Sequence, residues 1–346
     1  MPLTLAAAVV LTVVALASFA VRLHGRRQRR RSRREQRVLT RAFRRFLDGG
    51  ETAAALARAA DRVDEGSYWT VLETLSLKLN RARWLRLSRA LVNSRHAATE
   101  RRALSDDSPW RQVLACRRLA LLRSRASWRA LRRAMTRGGE MVTLAAATAL
   151  ARYHDRGALR WILSHQEAVA HRHRNALAAL MRTFGTRGLP VLARALERGI
   201  SNTRVELAVV DALGVAGYRD ACPPIERRLA HGDLDMRAAA ARSLGLMGAV
   251  ECGTSLMAAL RDDAWQVRAQ AARALGRVRA LVAAEALAGR LTDRSWWVRH
   301  HAAYALMELG EMGQATLRHV IATSDDPYAR DMAREALDRE LKRLAA

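Results

Sequence analysis

The sequence has little of what would place it in a disulfide-stapled or β-rich class. Its 346 residues include three cysteines, six prolines and 5% aromatic residues. Cys116, Cys222 and Cys252 cannot form a disulfide framework, and their spacing matches no CxxC metal or redox site. The scarcity of proline and aromatic residues disfavours an all-β protein and favours helices. With 50% hydrophobic residues, the chain has enough apolar surface to form cores, which argues against general disorder.

Lysine is also scarce, because only Lys78 and Lys342 are found among the 60 basic residues. Against 33 acidic residues, the basic side chains give a net charge of +27. Residues 22–46 carry +11 and residues 81–137 carry +13, which leaves +3 for the rest of the chain. The strong basicity is therefore a property of two local, arginine-rich regions.

Residues 3–21 contain no charged side chain. A helix of this length, at about 1.5 Å per residue, roughly matches a hydrocarbon core about 30 Å thick. We therefore predict one transmembrane helix at 3–21. A cleaved signal peptide is the alternative, with Ser18-Phe19-Ala20 as a loose cleavage site, but no basic residue precedes the apolar run.

An arginine block follows the apolar segment and predicts its orientation. Residues 22–46 hold twelve arginines against Glu35 alone, and such a block stays on the cytoplasmic side of a membrane. We expect a single-pass protein of the inner (cytoplasmic) membrane, with its N-terminus outside and its repeats in the cytosol. The juxtamembrane segment 22–46 is also expected to bind anionic membrane lipids, through membrane-proximal residues that include Arg22, Arg26, Arg27, Arg29, Arg30, Arg31, Arg33 and Arg34.

The second basic region, 81–137, has tryptophans among its arginines, at Trp84, Trp110 and Trp128. Aromatic stacking combined with phosphate contacts would suit a single-stranded nucleic acid. An ordinary helical face that lies against the membrane or an acidic partner is the interpretation we favour. The residues alone leave both open.

A repeating unit of about 31 residues organises the second half of the chain. Residue types recur at this interval in several columns: Arg237, Arg268, Arg299 and Arg330; Val205, Met236, Val267 and Val298; Leu213, Leu244, Leu275, Leu306 and Leu337. Within each unit, apolar residues recur at helical spacing in two stripes, which predicts a pair of helices. Such a pair cannot bury its apolar face alone, so we expect the units to stack into an α-solenoid.

The pattern D-x-x-x-V-R-x-x-A-A-x-A-L-G, carried by residues 263–276, resembles the HEAT-repeat family in its short, phycobilisome-lyase-like form. The resemblance implies an all-α fold, a right-handed α-solenoid of such helix pairs, here preceded by the transmembrane helix. HEAT-like repeats are assigned to 140–346, and degenerate, basic helical repeats to 47–139. Met307 and Asp338 depart from the pattern, which has glycine there.

Three columns of the repeat have structural interpretations. Asp233, Asp263 and Asp325 precede first helices and can accept hydrogen bonds from the free N–H groups there. Small residues at 271 and 274, and at the equivalent positions, let neighbouring helices approach closely. The arginine column, each member beside an aspartate of the preceding turn, predicts a ladder of ion pairs that orients one repeat on the next.

Aromatic residues also follow the period, at the first turns of these helices. Trp265 and Trp296 are one period apart, as are Trp297 and Tyr328. We expect Trp296 to pack between repeats. Packing of all these aromatic residues between repeats is one interpretation. In the other, the more exposed Trp297 and Tyr328, together with Trp265 and Arg294, form the candidate partner surface, because Trp, Tyr and Arg dominate binding hot spots.

No combination of residues in the sequence predicts catalysis. The di-iron hydroxylases that share this fold use repeated His-Glu pairs, whereas no histidine here is followed by glutamate. Zincin and phosphate-loop motifs are absent as well. The neighbours His171/His173 and His300/His301 are interpreted as satisfied or solvent-facing, and Cys222 has no nearby base. We therefore assign no catalytic residue, metal or cofactor.

The sequence thus predicts a membrane-anchored, non-enzymatic scaffold or adaptor that binds a protein partner at the cytoplasmic face of the membrane. A nucleic-acid-binding HEAT-like solenoid is one alternative, and a HEAT enzyme of the lyase or hydroxylase type is another. Nucleic acid is disfavoured because the most regular half of the repeats is nearly neutral.

Overall fold

The structure is a computed structural model that describes the backbone of residues 28–344 and the side chains of residues 28–339. The predicted transmembrane segment 3–21 lies outside these residues, as do Arg22, Arg26 and Arg27. All regular secondary structure in the described part is helical, which agrees with the all-α prediction. Two compact units are present, one extending to Tyr153 and the other beginning at His154.

Between residues 28 and 344, no helix combines the length and the apolar character needed to span a lipid bilayer.

The first unit is built from short helices joined by tight turns. Five of them begin after a residue whose side-chain oxygen accepts a backbone hydrogen bond from the first turn: Thr52, Asp64, Asn80, Ser94 and Ser124. The helices are α1 (28–47), α2 (Ala53–Asp61), α3 (Glu65–Lys78), α4 (Arg81–Leu91), α5 (Arg95–Ala103), α6 (Pro109–Leu119), α7 (Arg125–Arg137) and α8 (Glu140–Arg152).

Helix α1 is part of the core of the first unit. Leu39 and Phe43 are fully buried and belong to one apolar cluster with Tyr68, Trp69 and Leu72. The arginines of α1 all lie on its exposed face. The arrangement follows from apolar residues at helical spacing within a basic segment, which make an amphipathic helix.

The structure groups the described residues by packing. Residues 28–46 lie in α1 and contribute Leu39, Phe43 and Phe46 to the apolar core of the first unit. The first unit extends to Tyr153, because α8 packs on α6 and α7. The predicted segments 22–46, 47–139 and 140–346, defined by charge and by the regularity of the repeat, stay predictions.

The second unit follows the period of the sequence. From α12 to α17, a long helix alternates with a short one that is preceded by a 3-10 turn, as expected for helix pairs. Its helices are α9 (Arg156–Ser164), α10 (Arg174–Thr183), α11 (Leu189–Arg198), α12 (Thr203–Val215), α13 (Cys222–Glu226), α14 (Leu234–Met247), α15 (Gly253–Ala259), α16 (Trp265–Arg277), α17 (Ala284–Ala288), α18 (Trp296–Glu308), α19 (Glu311–Thr323) and α20 (Pro327–Leu344).

The repeated apolar columns form the core of this unit. Eight of their members expose no surface: Leu213, Leu244, Leu275, Leu306, Val205, Met236, Val267 and Val298. Leu337, on the last helix, is only partly buried. The columns that the sequence predicts as apolar are therefore the positions that are buried between the helices.

Glycine and alanine set the close approach of successive long helices. A Cβ atom added to Gly245 of α14 would lie 2.7 Å from the Cα and Cβ atoms of Ala274 on α16. A Cβ at Gly276 would lie equally close to the Cα of Ala305 on α18. Met307 occupies the next position of the glycine column, so the same approach cannot be repeated between α18 and α20.

The aspartates that cap the first helices are in part not the predicted ones. Asp233 accepts a hydrogen bond from the Met236 N–H, as expected. At the next repeat the acceptor is Asp262, which is bonded by the Ala264 N–H at 2.9 Å, and not Asp263. Before α20 it is Asp326, bonded by the Tyr328 N–H at 2.8 Å, and not Asp325. Where two aspartates or more adjoin, the sequence pattern does not show which one reaches the turn.

Candidate functional site

Four aromatic side chains at the first turns of α16, α18 and α20 are only partly covered by the protein. Trp265 is 41% exposed, Trp296 45%, Trp297 52% and Tyr328 67%. The predicted exposure of Trp297 and Tyr328 is confirmed. We call this set the aromatic edge.

The expected burial of Trp296 between repeats is wrong. Its ring stacks on His300 of the same helix, with centroids 4.7 Å apart and planes at 20°. It also meets Trp297 edge-on at 4.9 Å. The i,i+4 spacing on α18 explains the stack, because side chains four residues apart lie above one another. Trp296 therefore contributes to the exposed aromatic edge.

Arg237 and Arg268 each join two successive repeats. Arg237 donates through Nε and Nη2 to the two carboxylate oxygens of Asp262, at 2.7 and 3.0 Å. Arg268 binds Asp293 in the same way, at 2.7 and 2.8 Å. In both pairs the aspartate lies 25 residues after its arginine, in the turn that follows, and not in the preceding turn as predicted. These two pairs are thus the ion-pair ladder, with the opposite direction along the chain.

The Nη1 group of each ladder arginine binds the turn before its own helix. Arg268 Nη1 donates to the carbonyl oxygens of Asp262 and Asp263 at 2.9 and 2.8 Å. The corresponding contacts are made by Arg237, Arg299 and Arg330. The guanidinium of Arg268 therefore holds the turn of its own repeat and the aspartate of the next. Burial of Asp293 opposes its ionisation, but hydrogen bonds from Arg268 and the Ser295 N–H outweigh burial and lower its pKa.

The ladder changes at Arg299, because Ser324 occupies the position that Asp262 and Asp293 hold in the earlier repeats. Arg299 instead lies over the ring of Tyr328, with 5.4 Å from its Cζ atom to the ring centroid. Such a cation–π contact partly replaces the missing carboxylate. Tyr328 is therefore both an exposed edge residue and a structural partner of the ladder.

A groove runs along the exposed side of α16 and α18, next to the aromatic edge. It consists of three adjoining cavities of about 300, 260 and 1180 Å³. His301 lines the first and second cavities, and Tyr304 and Glu308 line the second and third. Trp265 and Trp297 line the first cavity, whereas the predicted partner-surface residue Arg294 is exposed but lines none of the three.

Burial and neighbouring cationic groups lower the pKa values of two basic side chains in this groove. Burial of His301, together with His300, Arg273 and Arg277, lowers the His301 pKa to about 4. Burial and the neighbouring Arg273 also lower the pKa of Arg277. Two guanidinium groups thus lie beside a neutral imidazole at the floor of the groove.

Arg273, His301 and Tyr304, which line the groove, were not among the predicted site residues. A signal was available, since Arg242, Arg273 and Tyr304 are successive members of one column of the repeat. The predictions depended on columns whose residue type varies little between repeats. The groove, in contrast, is lined by a column whose residue type changes from repeat to repeat.

In the first unit, the three tryptophans of the basic region do not form one exposed platform. Trp110 is 71% exposed, but Trp84 and Trp128 are half-buried. Trp128 is covered by Arg132, whose Cζ atom lies 5.8 Å from the ring centroid.

A buried ion-pair network, which the sequence did not predict, organises this unit. Glu100 exposes no surface and is bound by Arg111 at 2.6 Å and by Arg118 at 2.7 Å. Both arginines also reach Glu65, and Arg118 lies over the ring of Trp69. Two of the sixteen arginines of 81–137 are therefore structural.

The cysteine thiols show no sign of activation. All three cysteines are buried, and burial raises the pKa of Cys116 and of Cys252 to about 12. Among the described residues, no three His, Cys, Asp or Glu side chains are grouped so that they could hold a metal ion. The absence of enzymatic activity stays a prediction.

Comparisons with known proteins agree with the repeat. Residues 253–338 match the family described as HEAT repeats, and residues 236–262 match the PBS lyase HEAT-like repeat. The resemblance to short HEAT repeats is thereby confirmed for this part of the chain. No curated protein matches the chain.

Solved structures with a similar course of the chain include an engineered protein that is 19% identical, with a TM-score of 0.43. The match covers 89% of this chain and 93% of the engineered protein. Human deoxyhypusine hydroxylase is 18% identical (TM-score 0.33; 74% and 95% covered). The complex of CpcE and CpcF of phycocyanin lyase from Nostoc sp. is 21% identical (TM-score 0.27; 84% and 94% covered). No function is transferred from any of them.

Proposed function

We propose that this protein is a non-enzymatic, membrane-anchored scaffold whose HEAT-like repeats bind a protein partner at the cytoplasmic face of the membrane. The observation that carries the proposal is the aromatic edge. Three tryptophans and a tyrosine there remain substantially exposed, whereas eight members of the repeated columns that contain Val267 and Leu275 are fully buried in the same unit. Exposed apolar groups gathered on one side of a protein are typical of an interaction site.

The chemistry of the edge supports a protein partner. Tryptophan and tyrosine provide large, rigid contact areas, and they are enriched among the residues that contribute most to protein binding. Trp296 and Trp297 are held by contacts within α18, including the stack of Trp296 on His300. A surface of this kind binds without first having to order its own side chains.

The anchoring part of the proposal rests on residues 3–21 and on the arginines after them. In α1, Leu39 and Phe43 point into the core, whereas Arg30, Arg34 and Arg41 are exposed. Basic residues close to an anionic membrane surface contribute about 1 kcal/mol each to binding.

The test of partner binding is a Trp297→Ala variant. We expect capture of the partner from crosslinked membranes to weaken by about 2 kcal/mol or more, while the stability of the protein stays within about 1 kcal/mol of wild type. Trp110→Ala is the matched control, since Trp110 is an exposed tryptophan of the other unit. Equal capture by the wild type and Trp297→Ala would contradict the proposal.

The test of topology is a reporter enzyme fused to the C-terminus that is active only in the periplasm. We expect the fusion to be inactive and to fractionate with membranes, because the arginine block resists translocation. Reporter activity would reverse the orientation and with it the cytosolic position of the repeats.

A further inference from the structure

The groove along α16 and α18 has two chemically different ends. Its first cavity is lined by Trp265 and Trp297 at the first turns of the two helices, and the two arginines that also line it, Arg174 and Arg242, are both paired with Asp211. Its third cavity lies at their last turns, where Arg277, Arg279 and Arg339 line it. Thirteen helical residues span about 20 Å, so the groove is long enough for about six residues of extended chain at roughly 3.3 Å each.

The basic end lacks matching carboxylates. Within residues 28–339, no acidic side chain forms an ion pair with Arg273, Arg277 or Arg279. Arg339 donates to the hydroxyl oxygen of Tyr304 at 2.9 Å, and its guanidinium lies over that ring. Glu308 is the one carboxylate among the residues that line the third cavity. The arginines at this end therefore exceed the acidic groups that line it.

The cause of the wide third cavity is the break in the glycine column. Between α16 and α18, Gly276 allows the backbone of Ala305 to approach closely. Between α18 and α20, Met307 stands in the place of glycine, and it lines the cavity together with Ala336. A side chain where the earlier repeats have none keeps the two helices apart and opens the space that the arginines line.

We propose that this groove binds a short segment of the partner protein that carries an aromatic or aliphatic side chain at one end and acidic side chains at the other. The apolar side chain packs on Trp265 and Trp297, and the carboxylates bind Arg273 and Arg277. The proposal rests on the proposed function and names the chemistry of its partner. Charge complementarity selects the acidic end, because Glu308 is the one carboxylate among the described lining residues that faces the several arginines there.

A peptide suits the groove better than a nucleic acid does. The first cavity is lined by Asp235 and the second by Glu308, so a chain with a phosphate at every residue would meet these carboxylates. A peptide with its acidic residues confined to one end avoids the first of them.

The test begins with a phage-displayed library of random heptapeptides selected on immobilised full-length protein. We expect enrichment of peptides that have an aromatic or aliphatic residue followed, three to five positions away, by Asp or Glu. The most enriched peptide is then synthesised with a fluorescein label, and its affinity for the full-length protein is measured by fluorescence anisotropy.

The decisive comparison is between two arginine variants. We expect the double substitution Arg273→Gln/Arg277→Gln to weaken binding of the labelled peptide at least about tenfold. Arg261→Gln, an equally exposed arginine that does not line the groove, should change it less than about twofold. Tighter, variant-sensitive binding of a twelve-nucleotide single-stranded DNA would identify a nucleic-acid groove and overturn the proposal.

The two proposals fail in different ways. Enriched peptides without acidic residues, or a labelled peptide that binds the double variant unchanged, would overturn the groove proposal. Partner capture that still depends on Trp297 would then leave the scaffold proposal standing. If partner capture does not depend on Trp297 and peptide binding does not depend on Arg273 and Arg277, the aromatic edge is not a binding surface.

Discussion

The two units use arginine in different ways. In the first unit, Arg111 and Arg118 meet at one fully buried carboxylate, that of Glu100, and no other site among the described residues of the unit repeats this arrangement. The second unit also has a buried carboxylate that two arginines share, Asp211 with Arg174 and Arg242. It adds a periodic use, since Arg237 and Arg268 make the same bidentate contact in successive repeats. A single buried network concentrates its contribution to stability in a few atoms, whereas a periodic contact distributes it. This difference leads to three expectations, the largest effect first.

Glu100→Gln should strongly destabilise the first unit. The substitution removes the fully buried one of the two carboxylates that bind Arg111 and Arg118 and leaves them only the half-exposed Glu65, and breaking a buried ion pair by removing one partner costs up to about 3–5 kcal/mol. Hydrogen exchange followed by mass spectrometry, with protection compared between peptides of 28–153 and 154–344, assigns the effect to a unit. Glu73→Gln, at an exposed position of α3, is the control and should change little. Equal loss of protection in both units would mean that the units do not differ as we describe.

Gly245→Ala should destabilise the second unit by about 1–3 kcal/mol, because the added Cβ would lie 2.7 Å from the Cα and Cβ atoms of Ala274. Gly253→Ala is the matched control, since a Cβ there would meet the Ala280 Cβ at 3.9 Å, an ordinary contact. Thermal unfolding of the two variants measures the difference. If they melt alike, close approach of α14 and α16 is not what holds the repeats together.

The smallest expected effect is a pH dependence from His301. Its pKa is lowered to about 4 by burial and by the nearby His300, Arg273 and Arg277, whereas an unfolded histidine titrates near 6.5. The unfolded state therefore binds more protons in this window, and stability should fall as the pH drops from about 6.5 to 4. In His301→Gln, the hydrogen-exchange protection of the second unit should fall less than in the wild type over the same pH range. The difference between the two should be under about 1 kcal/mol, because the site is partly solvated. Parallel pH profiles for variant and wild type would contradict the lowered pKa of His301.

The packing of the second unit could be read from the sequence because its determinants are periodic. Leu275 and Val267 have counterparts in every neighbouring unit, and side chains that recur at the repeat length must occupy equivalent places in every junction. The arginine ladder was predicted for the same reason. The direction of the ladder was predicted wrongly. An aspartate precedes each first helix, so the pattern fits an ion pair with either neighbouring repeat.

The remaining features depend on contacts that have no period. Glu100 and Arg118 lie on different helices in a part of the chain without a clear repeat, so nothing in the sequence marked them as a pair. Trp296 was expected between repeats because Trp265 shares its column, but stacking on His300, a residue found in one repeat only, decides its place. The groove is likewise lined by a column that changes from arginine to tyrosine at residue 304.

The ladder has a consequence for how such an array can lengthen. Duplication of one whole unit within the Asp262–Asp293 stretch would give each new arginine an aspartate at the same distance, so the array could grow in its middle by whole units. At Ser324 the carboxylate that would pair with Arg299 is missing, and the guanidinium of Arg299 is covered by Tyr328 instead. The serine and the tyrosine together therefore end the run of arginine–aspartate pairs between repeats.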